Sequence, residues 1–139
     1  MLELADIQGI VFSGFQAKPY AAYLLLTVAD QAGARKWLGT MAGAVTTGAH
    51  RHYDRCITLA LSSAGLKAIG LDADAYSTFP LEFREGMAGS DTRSRTLGDL
   101  GTSEPGGWLW GRPDGRVHVL LGLFAPTQEL LAELIASQK

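Results

Sequence analysis

Three short apolar runs constrain this chain more than any other feature: "YAAYLLLTV" at 20–28, "CITLALSS" at 56–63 and "RVHVLLGLFA" at 116–125. Each has the length of a strand and is bounded by polar or turn-forming residues. A helical pattern comes after each of them. Behind the first, Asp30 stands in a capping position, and Ala34, Trp37, Leu38 and Met41 recur at i, i+3, i+4 and i+7. That spacing predicts a helix over about 31–44. The second run leads through a Ser62 or Ser63 cap into "AGLKAIGL", which stops at Gly70. The third leads into "PTQELLAELIASQ" at 126–138, with Leu130, Leu131, Leu134 and Ile135 on one face and Pro126 and Thr127 at its start. The unbroken apolar centre of the first run predicts a strand buried on both faces.

The order is strand–helix–strand, an insertion, then strand–helix. At 139 residues and 47% hydrophobic, the chain can build one core and is too short for two ordinary domains. A split β-α-β unit reads β-α-β-β-α-β, and this chain supplies five of the six elements. The fold class expected is therefore α+β, a single ferredoxin-like domain over 1–139, ending before the fourth strand and reading as a fragment. A long helical and loop insertion falls at about 70–115. "DIQGIVFSGF" (6–15) reads as an extended entry segment and "TTGAHRHYDR" (46–55) as a polar connection. "DADAYSTFP" starts a short helical piece, Pro80 opens another at a first-turn position, and a long loop is expected from about residue 88.

Several function classes are disfavoured. The formal charge is -2 and no basic run exceeds Arg35-Lys36, so no nucleic-acid partner is expected. The lone Cys56 cannot form an internal disulfide, a Cys₄ zinc site or an iron–sulfur cluster, and in a strand it reads as a small buried apolar residue. "MLELADIQG" does not read as a secretory signal, and "YAAYLLLTVA" falls far short of a bilayer span, so a cytoplasmic protein without a membrane partner is expected.

Candidate chemistry is sparse. His50 and His52 form a His-x-His pair with Asp54 nearby, but on a loop and without a third ligand in sequence, so the pair reads as surface and no metal site is expected. His118, in "RVHVLLG", alternates with Val117 and Val119 and reads as a satisfied structural histidine on the second face of its strand. "GRPDG" (111–115) matches G-x-x-D-G literally, yet Pro followed by Asp-Gly before a strand is a turn. Glu82, Glu85, Asp91 and Asp99 mix with Arg84, Arg93 and Arg95, the composition of a salt-bridged surface. No phosphate loop or Gly-x-Ser-x-Gly nucleophile motif is present.

Six pieces in one order, "DIQG" (6–9), "YLLL" (23–26), "FPLEFREGMAG" (79–89), "LGD" (97–99), "WLWG" (108–111) and "VHVLLGLFA" (117–125), resemble the N-terminal half of dye-decolourising (Dyp-type) haem peroxidases. The resemblance implies one of two ferredoxin-like domains, with haem b held mainly by the second. It also implies H₂O₂-dependent oxidation of dyes and phenolic donors by the whole protein. The family's distal G-x-x-D-G aspartate, distal arginine and proximal histidine all come after the region covered here. "GRPDG" lies where the family has a variable turn, so the catalytic aspartate is not carried onto Asp114, nor the iron ligand onto His118. No catalytic residue is assigned, and no haem is expected on the isolated chain.

The stretch 79–111, with Phe79, Phe83, Met87, Trp108 and Trp110, is expected to serve a surface the chain does not contain, and to be disordered or packed on another chain when isolated. The partners expected are the missing C-terminal haem-binding half or a second copy. The alternatives are a stand-alone, non-enzymatic ferredoxin-like domain for dimerisation or ligand binding, and a free-standing haem site on His118 or on His50 and His52.

Overall fold

The three apolar runs become β1 (Tyr20–Leu26), β2 (Cys56–Leu61) and β3 (Val119–Ala125), and they form one sheet in the order β1-β3-β2. The computed structural model describes residues 2–12, 14–50, 54–112 and 116–138. The carbonyl of Leu26, last in β1, accepts from the His118 amide just before β3, and the Ser62 amide just after β2 donates to the His118 carbonyl. The ends of β1 and β2 thus both meet the start of β3, and both pairings are antiparallel. The third strand lies between the first two, as the split β-α-β pattern requires. The expected α+β, ferredoxin-like class is the class observed.

One expectation about the sheet is corrected. β1 is an edge strand whose residues alternate between exposed and half-buried, and Tyr23 is 61% exposed. The strand buried on both sides is β3, where only Leu120 is exposed. All three runs are apolar, so hydrophobicity cannot rank them. The chain's connections decide which becomes central.

By its contacts the chain divides into two units. The first comprises Met1–Leu24, Arg35–Ala60 and Leu120–Lys139. Its core contains Met41, Cys56, Ile57, Leu121, Leu123, Ala125 and Leu134, all at or below about a tenth exposed. Met41 belongs to α1 (Gln31–Ala44), whose start is fixed by Asp30: its carboxylate accepts from the Gly33 amide at 2.6 Å. Leu134 belongs to α6 (Gln128–Ala136), where the Thr127 hydroxyl accepts from the Leu130 amide. Phe124 takes Phe15 and Tyr23 edge-on, with ring centroids 5.0 and 5.8 Å away.

Among its described residues, 6–15 is not the extended segment expected. Two 3-10 turns, Leu4–Asp6 and Gly9–Val11, flank a single bridge between Gln8 and Thr47. The polar connection expected over 46–55 is in part buried among its described residues: Thr46 is 3% exposed. Its amide donates to the Ile57 carbonyl and its hydroxyl accepts from the Ile57 amide at 3.0 Å.

The second unit is Leu25–Ala34 with Leu61–Val119. Here α2 (Ser63–Ala68), α3 (Ala73–Ser77) and α4 (Leu81–Glu85) agree with the sequence pattern, with Ser62 and Asp72 as side-chain caps and Pro80 just ahead of α4. The loop expected from about residue 88 is instead α5 (Asp91–Leu97) and then two 3-10 turns. Its signals are present in "SDTRSRTLG": Ser90 caps the Arg93 amide, Asp91 opens the first turn and Gly98 closes the helix at φ 79°. The Gly98 and Asp99 amides return to the Arg95 and Ser94 carbonyls, a Schellman closure that needs a residue free to adopt positive φ. Within 79–111, Phe79 and Phe83 stack at 5.1 Å and the Trp108 indole donates to the Ser103 carbonyl. Leu109 is 97% exposed, with Met87 and Trp110 also out in solvent.

Candidate functional site

His118 is the most heavily committed of the candidate residues. Its amide and carbonyl join the ends of β1 and β2. Its ring Nδ1 accepts from the Val28 amide at 2.9 Å. An amide can only donate, so Nδ1 carries the lone pair and, in the neutral ring, the proton sits on Nε2. The Ser62 hydroxyl ties the preceding residue down by donating to the Val117 carbonyl at 2.6 Å. Gly65 of α2 lies against this junction so closely that a Cβ there would fall on the His118 carbonyl oxygen.

That arrangement bears on haem. A histidine that ligates a metal through Nε2 keeps its proton on Nδ1 and donates it to a carboxylate or carbonyl. His118 has the opposite polarity, because its Nδ1 neighbour is itself a donor. Iron ligation through Nε2 would put two N–H groups face to face at 2.9 Å. The ring as held does not fit an axial ligand.

In the first unit, a cleft of about 660 Å³ is bounded by the last turn of α1, Thr46, Thr47, His50, Asp54, Arg55 and Leu134. It gathers His50, Asp54 and the polar connection. His50 Nδ1 lies 3.3 Å from the Thr47 hydroxyl, and Arg55 is paired with Glu133 at 2.6 Å. His52 and Asp114, the other members of the His-x-His and G-x-x-D-G readings, lie outside the described residues. Among the described residues, no group of three His, Cys, Asp or Glu side chains is placed to hold a metal. Cys56 is fully buried.

The charged residues of 82–99 lie in the second unit. Glu85 meets Arg93 at 3.6 Å, while Asp91 and Arg95 occupy the first and last turns of α5, where each complements the helix dipole. Sequence reasoning misses a hydroxyl cluster in this unit. Ser63 Oγ and Tyr76 Oη are 2.6 Å apart, and both reach the Arg84 carbonyl, at 2.8 and 3.2 Å. That carbonyl belongs to the last turn of α4, whose acceptors have no partner within the helix. The Ser63 hydroxyl holds the Tyr76 phenol below the usual tyrosine range, against partial burial, with help from Lys67, whose ammonium lies 4.2 Å from the ring centroid. No local motif signals a pair thirteen residues apart.

No protein-family model matches the chain, and no curated protein matches it. Solved structures do. A dye-decolorizing peroxidase whose heme pocket was engineered for asymmetric sulfoxidation aligns with 98% of this chain at TM-score 0.75 and 23% identity. A fungal DyP-type peroxidase from Auricularia auricula-judae aligns with 99% at TM-score 0.73 and 22% identity. A DyP-type peroxidase from Anabaena sp. aligns with 96% at TM-score 0.80 and 18% identity. The chain spans only 29–30% of the length of these proteins. The strand order, the helices and the inserted segment of this chain therefore make up a fold shared with part of the DyP-type peroxidases.

Proposed function

We propose that this chain is the scaffold part of a Dyp-type haem peroxidase, with iron ligation and distal acid–base chemistry supplied by a further part of such a protein. The carrying observation is that 96–99% of the chain aligns with DyP-type structures while accounting for under a third of them. The polarity of His118 supports the same division of labour, because its ring is engaged in holding strand ends together. Haem supplies the redox chemistry itself in such enzymes; the protein supplies ligation, orientation and access. This chain's share is the last two. Met87, Leu109 and Trp110, exposed on the segment before β3, are the side chains offered to the haem-bearing part.

A haem titration of the purified chain tests this reading. The expected result is no stoichiometric Soret shift and no H₂O₂-dependent dye oxidation. One-to-one binding with turnover would overturn it.

A further inference from the structure

The cleft between α1, the 46–55 connection and α6 has no part in the peroxidase reading. Every residue that bounds it belongs to the first unit. At about 660 Å³ it has the size of a small-ligand site.

Its chemistry is one-sided. Part of the wall is the end of α1, where the last carbonyls have no amide within the helix and carry the negative end of its dipole. The amides that could have continued the helix are turned elsewhere: Thr46 donates to the Ile57 carbonyl and Gly48 to the Ile7 carbonyl. The Ala42 and Ala44 carbonyls, four residues earlier, are left without a hydrogen bond among the described residues. Asp54 is a third acceptor on the same cleft, and among the described residues its carboxylate has neither a hydrogen bond nor an ion pair. The Arg55 guanidinium is already matched by Glu133 at 2.6 Å, and His50 meets the Thr47 hydroxyl. Acceptors and negative charge are therefore in surplus. Ile57 and Leu134 of the core add an apolar lining.

A bare metal ion does not suit this set. Calcium and magnesium take about six or more oxygens, and among the described residues no group of three His, Cys, Asp or Glu side chains is placed to hold a metal. A metal would also leave the apolar lining unused. An ammonium group presents three N–H donors and needs no further ligands. We propose that the cleft binds a primary alkylammonium ion, its donors taken by the Ala42 and Ala44 carbonyls and the Asp54 carboxylate, and its carbon chain laid over Ile57 and Leu134. The inference does not depend on the peroxidase reading.

Butylammonium titrated into the ¹⁵N-labelled chain, followed by amide chemical shifts, tests it. Saturable shifts are expected at Val45, Thr46, Thr47 and Ile57. Butanol and butyrate have the same chain length without the positive charge, and each should bind at least about tenfold more weakly. Asp54 is exposed, so Asp54→Asn should fold as the wild type does, which the unperturbed amide spectrum will report, and should weaken butylammonium binding about tenfold. Asp74→Asn, on α3 in the second unit, should leave it unchanged. Affinity should also fall as salt is raised, because the carboxylate is open to solvent. Butyrate or butanol binding as tightly as butylammonium, full affinity in Asp54→Asn, shifts centred outside the cleft, or the absence of saturable shifts would each overturn the proposal.

Discussion

Replacing Gly65 with alanine should damage this protein far more than one methyl group suggests. The new Cβ would overlap the His118 carbonyl oxygen and come within 2.8 Å of its carbonyl carbon and 3.1 Å of its Cα. The obstacle is backbone at the junction of three strands, so no flexible side chain can yield. Forcing an extra carbon into a packed site costs about 1–3 kcal/mol. Moving His118 also strains the Ser62 amide bond to its carbonyl and the Val28 amide bond to its ring, at about 1 kcal/mol each. Alanine's better helix propensity in α2 returns about 1 kcal/mol. The net loss is about 2–4 kcal/mol, a large fraction of the roughly 5–15 kcal/mol that holds a domain folded. In urea, with a slope of about 2 kcal/mol per molar, the midpoint should fall by about 1–2 M. Gly39 in α1 is the control: a Cβ there meets nothing within 4 Å, so Gly39→Ala should be neutral or slightly stabilising. Equal midpoints for Gly65→Ala and Gly39→Ala would refute the close approach of α2 to His118.

Two further outcomes come from hydrogen bonds elsewhere in the chain. Thr46→Val should cost about 1–3 kcal/mol, because it leaves the buried Ile57 amide without its acceptor; Thr46→Ser, which keeps the hydroxyl, should recover most of that in the same urea titration. Tyr76 has a folded pKa below its unfolded value of 10.0, so its share of stability should grow as pH rises from the folded pKa towards 10 and be lost as pH falls back through it. Thermal melts across the alkaline range should show that trend relative to Tyr76→Phe, and parallel curves for the two chains would rule it out.

The haem question marks the reach of local pattern. Alternation in "RVHVLLG" puts His118 on the second face of its strand and predicts a structural role. Its actual task, joining two strand ends and taking the Val28 amide on its ring, depends on a residue ninety positions away. The same holds for Ser63 and Tyr76, and for Gln8 on Leu59. These are contacts between remote parts of the chain, and nothing local encodes them. By contrast α5 is locally encoded, in a serine cap, a first-turn aspartate and a terminal glycine. Only its weak apolar stripe makes that stretch resemble a loop, so its helix was legible from the caps.

Periodicity is a local property. The three strands, the capped helices α1 and α6, and their order were legible in the residues alone, because side-chain spacing and caps act within a few positions. Only the folded chain settles which strand is central and which way the His118 ring is hydrogen-bonded. Three runs of similar hydrophobicity carry no label for position in a sheet. Position comes from the crossover that inserts β3 between β1 and β2, and only that insertion brings the two strand ends to one histidine.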